Sequence, residues 1–391
     1  MKKFKAIEDK ILAISTLVKK IEISPNENGF HAILYPDFDE LKKSNIINIE
    51  EELRWYSIEV YNFGVKDKDR IVTYEVVSHT KKLENSGDTN SEVYLVLKSF
   101  LAELSSEEIF SNSHLELDLG LDSIDYVELF IFIEESFGVL IDEKIFSEIM
   151  IMQELYEYIE RNKSFKKTTQ KSLKDVLKEP IDKKLIYSPW IMILYKTLLY
   201  PIFKIYFRLE INGCENIPKT ACVIAPSHQS MLDGFIVEAT LPYKILKNSF
   251  FLAYKNVFGT TLLKPIADNG QTILIDANEN LKQTMQYCAL PLKSNSNLVI
   301  FPEGARTRDG KLLEFRPFFA MLSKIYNVPV VPVVIVGSFE ALRSGTSFPK
   351  PKKVKLKYLE PIYPDELSIE EIVHKTKESI EAYLPSSSLT S

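Results

Sequence analysis

A chain of 391 residues with 45% apolar residues has material for two or three domains with real cores. Its formal net charge of −6 excludes the broadly basic character of a nucleic-acid binder. The three cysteines, Cys214, Cys222 and Cys288, form no CxxC pair and lie near no histidine cluster, which excludes a disulfide framework and a metal site and points to reduced thiols in a cytosolic protein.

The basic start, Met1-Lys2-Lys3-Phe4-Lys5, is followed at once by Glu8, Asp9 and Lys10, so no signal peptide is expected. Residues 1–88 read as a small α+β unit. Residues 30–35 form a strand, Asn48 is placed to cap a helix opening with Glu50, Glu51 and Glu52, and residues 71–77 alternate as a second strand. The polar, turn-rich run 84–90 reads as a linker.

Residues 91–163 are acidic and helical. Between Glu92 and Lys163 there are 17 acidic and 4 basic residues, a net −13, so the rest of the chain is near +7. Val93, Val96, Leu97, Phe100, Leu101 and Leu104 recur at helical spacing. Gly120 permits a turn, and Asp122-Ser123 then begins a helix. The Ser123 hydroxyl projects from the positive end of that helix, a place that also favours a phosphodiester. Ile124 and Val127 are expected to face the core, Asp125 and Glu128 the solvent and a basic partner. A lone Asp-Ser would be only a helix cap, but the run 119–129 resembles the attachment motif of acyl carrier proteins nearly letter for letter, and the likeness extends over about 70 residues. That resemblance implies a four-helix acyl-carrier bundle with 4'-phosphopantetheine on Ser123.

Residues 164–184 form a Lys-, Ser- and Thr-rich basic linker. The apolar stretch 185–207 is long enough for a bilayer, but Lys196 and Lys204 sit inside it and Pro189 and Pro201 interrupt it. Its interleaved aromatics and lysines suit a segment lying at a membrane surface, and a buried helix pair or a true span are the alternatives. From there to residue 375, short β-branched runs at 221–225, 272–275, 297–301 and 328–336 alternate with helical stretches, as in an α/β layer fold. Residues 376–391 read as a tail.

His228 and Asp233 stand in an H-x4-D spacing just after one of these strands. Histidine is the usual general base near neutral pH, and a carboxylate can orient its ring and stabilise its protonated form. Phe301-Pro302-Glu303-Gly304-Ala305-Arg306 follows another strand about seventy residues later, and its guanidinium suits phosphate. Either block alone could be an ordinary charged loop. Together, in this order, they resemble the signature blocks of the glycerolipid acyltransferase family, and residues 328–333 resemble its later strand block; the likeness covers about residues 205–360. It implies attack of an alcohol on a bound acyl thioester, assisted by His228 and Asp233, with Glu303, Gly304 and Arg306 binding the acceptor. Two positions depart from the pattern: Ala277 stands where an arginine for a phosphorylated acceptor is expected, and Phe318 where a glycine often follows the second block.

Residues 1–88 resemble the small carboxy-terminal subdomain of adenylate-forming acyl ligases, on residues 29–37 and on Asn62-Phe63-Gly64-Val65. Glu84 lies near the place of that family's adenylate-contacting lysine, and neither the large nucleotide-binding domain nor a Gly-rich phosphate loop is present, so no adenylation is expected. The segment reads as a remnant, as a docking surface for a separate acyl ligase, or as an unrelated α/β domain.

The whole is expected to be a multidomain α/β protein: an O-acyltransferase moving a fatty acyl chain from a phosphopantetheine thioester, on its own carrier or an external carrier or coenzyme A, to an alcohol acceptor of the lysophospholipid type. Its expected partners are the acyl thioester donor, the lipid acceptor, a phosphopantetheinyl transferase and the membrane surface, at the inner face of a cytoplasmic membrane. The competing expectation is a non-catalytic carrier or scaffold protein.

Overall fold

The computed structural model describes residues 2–26, 29–78, 83–85, 87, 89, 91–163, 173–258, 264–275, 281–343, 346 and 348–384. The chain forms two compact units, Met1–Glu179 with Asp276–Thr284, and Pro180–Ile275 with Met285–Ser391.

The first unit opens with the helix Lys2–Ile14 and a three-stranded sheet in the order β1-β2-β3. β1 (Val18–Asn26) pairs antiparallel with β2 (Gly29–Pro36), and β3 (Ile71–Val76) runs parallel to β2. Alternation sets the buried face: Ile21 and Ile23 on β1, and Phe30, Ala32 and Leu34 on β2, are buried against Ile7, Ile11, Leu53 and Ile58 of the helices. β1 and the opening helix escaped the sequence reading, because Lys19, Lys20 and Glu22 dilute the apolar signal of an edge strand.

Four helices follow: Glu92–Leu104, Ser123–Phe137, Glu143–Phe146 and Met152–Asn162. Ser91 caps the first by accepting from the Tyr94 N–H. The sheet and these helices pack on one another within the first unit. Met150 lies in the core cluster of the sheet and Leu117 packs against it, while Lys42 pairs with Glu154 at 2.9 Å. Further on, Leu173–Lys178 is a helix with Leu173, Val176 and Leu177 buried, so the last part of the basic linker is ordered structure.

The second unit holds a seven-stranded sheet in the order β4-β10-β9-β5-β8-β6-β7: β4 (Glu210–Asn212), β5 (Val223–Pro226), β6 (Ser249–Tyr254), β7 (Thr272–Ile275), β8 (Asn297–Val299), β9 (Val330–Val336) and β10 (Lys355–Tyr358). All pairings are parallel except β9 with β10. The central strands β5, β8 and β9 are buried almost throughout, as strands covered on both faces must be, and they are the runs most legible in the sequence. β4, β6 and β10 were not anticipated. β4 and β10 lack an unbroken apolar run and pair with distant segments, whereas β6 carries one, Phe250 to Tyr254, between two other apolar strands of the sheet.

The stretch 185–207 is one helix, Pro189–Tyr206, and its prolines do not break it. Pro189 sits at the first helical position, where no N–H is required. Among the described residues no helix is long and apolar enough to cross a membrane. The closing helix Ile369–Glu381 runs past residue 376, and Ile372, Thr376 and Ile380 are buried, so the tail begins later than expected.

Candidate active site

His228 leaves the carboxyl end of β5, the position where open parallel sheets expose their chemistry. The strand is tied down beside it: Ser227 N–H donates to the Val333 carbonyl at 2.9 Å, and Ser227 Oγ accepts from the Ile335 N–H at 3.1 Å. Asp233 opens the helix Asp233–Thr240 and is fully buried. Its Oδ2 lies 3.1 Å from His228 Nδ1 and accepts from the N–H groups of Gln229 and Ser230, both at 2.6 Å. A carboxylate at that nitrogen selects the tautomer with the proton on Nδ1, leaving Nε2 as the basic atom. The His228 ring stacks on Phe301, with ring centroids 4.0 Å apart.

The second block lies in the loop after β8. Glu303 is buried, with Oε1 accepting from the His228 N–H at 2.6 Å and Oε2 from the Leu313 N–H at 2.8 Å. The Thr307 N–H donates to the His228 carbonyl at 3.1 Å, so the two blocks are stitched together on both sides of the histidine. Burial pushes Glu303 up to about 8, against the pull of its two backbone donors. Gly304 has φ +63, a left-handed conformation that turns the loop after Glu303. Arg306 is half-buried in the same loop. The structure thus brings His228, Asp233 and Glu303 into one hydrogen-bonded cluster, with Gly304 and Arg306 on the loop that Glu303 braces.

Three contributors were not read from the sequence as such. Phe301 was seen only as the opening letter of its block. The N–H groups of Gln229 and Ser230 fix Asp233, and backbone donors leave no mark in composition. Lys377, on the closing helix, pairs with Glu314 at 2.6 Å and its charge bears on Glu303; it fell in the segment assigned to the tail. Of the two departures, Ala277 lies outside the described residues, and Phe318 begins a helix and packs on the cluster of Phe250, Ile273 and Cys288. All three cysteines are free thiols, and burial pushes Cys222 and Cys288 up to about 12, which makes them inert.

Ser123 is the first residue of the helix Ser123–Phe137 and is half-buried. Gly120, at φ +70, makes the expected turn before it. Asp122 Oδ1 accepts from the N–H groups of Ile124 and Asp125, and Asp125 Oδ2 accepts from the Asp122 N–H at 2.8 Å. Asp125 therefore closes a capping box. Ile124 and Val127 are buried as expected. The Ser123 hydroxyl donates to Asn48 Oδ1 at 2.8 Å.

Residues 208–336 match the family model described as Acyltransferase. The 1-acyl-sn-glycerol-3-phosphate acyltransferase of Limnanthes douglasii is 31% identical over 170 residues, covering 42% of this chain and 58% of that protein. The enzyme of the same description from Pseudomonas aeruginosa is 35% identical over 131 residues, covering 32% of this chain and 48% of that protein. The crystal structure of the 1-acyl-sn-glycerophosphate acyltransferase from Thermotoga maritima aligns with a TM-score of 0.40 and 21% identity, covering 51% of this chain and 87% of that one. The chain spans about half the length of the curated relatives it matches. Residues 208–336 are thus similar to the Acyltransferase family, and they lie in a mixed α/β unit with a mostly parallel seven-stranded sheet.

Proposed function

We propose that the chain is an O-acyltransferase that moves an acyl group from a thioester to the free hydroxyl of a lysophospholipid of the 1-acylglycerol-3-phosphate type. The observation that carries this reading is the His228 Nδ1 to Asp233 Oδ2 contact of 3.1 Å inside a domain that matches the acyltransferase model. As the acceptor oxygen attacks the thioester carbonyl, its proton passes to His228 Nε2 and a C–O bond forms. Asp233 stabilises the resulting imidazolium. When the tetrahedral intermediate collapses, the C–S bond breaks and the departing sulfur takes the proton back from His228. Glu303, with both oxygens committed to backbone donors, positions His228, and Arg306 on the braced loop is suited to the acceptor phosphate.

Ser123 fits the attachment of 4'-phosphopantetheine: its hydroxyl stands at a helix start after a left-handed glycine turn. The arm would supply a thiol able to hold the acyl group as a thioester. A separate carrier or acyl-coenzyme A is an equally usable donor for the same site.

The test uses the whole chain, an acyl-coenzyme A and 1-acylglycerol-3-phosphate, with the diacyl product followed by mass spectrometry. His228→Ala is expected to lower transfer by about 10²–10⁴-fold. Transfer unchanged by that substitution refutes the mechanism and leaves the carrier or scaffold reading in its place. A monoacylglycerol run in parallel reads the value of the acceptor phosphate.

A further inference from the structure

Resting on the reading of Ser123 above, we propose that residues 42–50 of the sheet segment are an intramolecular ligand for the attachment end of the helical segment, and that they control access to Ser123. The arm can be joined to the serine only when this stretch lifts away.

The contact is built from both sides. Asn48 occupies the cap position of the helix Ile49–Leu53, but its side chain makes no cap hydrogen bond to it. Its side chain instead accepts from the Ser123 hydroxyl at 2.8 Å. The cap is supplied by the other segment: Glu116 accepts from the Ile49 N–H at 2.8 Å and from the Glu50 N–H at 2.9 Å. An asparagine whose side chain does not cap its own helix and a glutamate side chain that caps it from a distant stretch are two halves of one docking contact. Ile46, Ile47 and Ile49 are buried, and they line an apolar crevice with Tyr126, Phe146 and Met150. At the rim, Lys42 pairs with Glu154 at 2.9 Å.

Attachment needs the Ser123 oxygen to form a bond to the β-phosphorus of coenzyme A while the pyrophosphate linkage breaks and the serine proton goes to a base of the transferase. The leaving group is adenosine 3',5'-bisphosphate. In-line approach requires the hydroxyl to face the transferase. Here its hydrogen is engaged by Asn48, and the stretch bearing Asn48 lines one crevice with Tyr126 and Phe146 of the neighbouring helices.

The experiment incubates the full chain with coenzyme A and a promiscuous phosphopantetheinyl transferase and follows intact mass against time. Asn48→Ala is expected to raise the initial loading rate by about tenfold through the loss of one part-buried hydrogen bond, and Lys42→Glu, a milder opening at the half-buried rim, to raise it by about two- to threefold. Wild-type loading as fast as that of both variants overturns the gate while leaving Ser123 an attachment site. No loading of any form, with circular dichroism showing all of them folded, overturns the attachment reading and the gate with it. A second measurement needs no variant. Once Ser123 is loaded, the Ile49 and Glu50 amides lose the Glu116 cap and are expected to exchange hydrogen faster; unchanged exchange on loading also overturns the gate.

Discussion

The Asp233 carboxylate does two things with one oxygen: it accepts from two backbone N–H groups, which fixes its own rotamer, and it faces His228 Nδ1. The tautomer of His228 therefore depends on a group held by the main chain. Asp233→Asn keeps the shape and removes the charge that stabilises the imidazolium, so transfer is expected to fall by about 10²–10⁴-fold with little change in Tm. A fall in Tm equal to that of an unfolded variant would instead make Asp233 a folding residue. Glu303 is the structural brace of the pair. Glu303→Gln leaves one of two buried N–H groups without an acceptor, which costs about 1–3 kcal/mol, read as a lower Tm and midpoint of urea unfolding. At this scale the spacing H-x4-D set His228 and Asp233 within reach of one another in the sequence, and the fold brings them to 3.1 Å. The hydrogen bond from the His228 main chain to Glu303, across 75 positions, has no local signature.

Among the elements, the helix Pro189–Tyr206 shows how one stretch serves two surroundings. Lys196, inside an apolar run, is buried and donates to the carbonyls of Ala239 and Leu241 at 2.8 and 2.6 Å. It satisfies the carboxyl end of the helix Asp233–Thr240, which begins at the candidate catalytic aspartate. Burial lowers the Lys196 pKa. Lys196→Met removes both hydrogen bonds and is expected to destabilise the fold by about 2–4 kcal/mol, measured by denaturant unfolding. On the same helix Trp190, Leu194, Leu198 and Ile202 are exposed at four-residue spacing, with Lys247 over the Trp190 ring. That stripe is suited to the interface of an anionic bilayer. Leu198→Asp with Ile202→Asp is expected to reduce co-sedimentation with phosphatidylglycerol-containing vesicles several-fold while leaving Tm unchanged. Equal sedimentation of wild type and variant would remove the membrane role of this face.

For the whole molecule, three carboxyls bear on the response to pH: the half-buried Glu116 in the first unit, and the buried Glu238 and Glu303 in the second. Burial pushes each up to about 8. A carboxyl whose folded pKa lies above its unfolded value binds more protons when folded. Its stabilising contribution is fully present below the ordinary value of 4.5 and is lost as pH rises towards 8. Tm is therefore expected to fall between pH 5 and pH 9. Glu238 has no hydrogen-bond partner for Oε1 among the described residues, so Glu238→Gln is expected to flatten that fall. A Tm profile of the same slope in wild type and variant would exclude Glu238 as a contributor.

The sequence by itself determined the central strands, the order of the two signature blocks and the turn before Ser123. Each rests on local pattern: an unbroken β-branched run, a fixed spacing, a glycine before a capped helix. Only the tertiary structure decided that residues 1–78 and 91–163 share contacts and a core, that Glu116 rather than Asn48 caps the helix at Ile49, and that Glu303 holds the His228 main chain. These are pairings between groups tens of residues apart. Which donor meets which acceptor over such distances depends on the closure of the chain around its apolar core, and no spacing along the sequence encodes it.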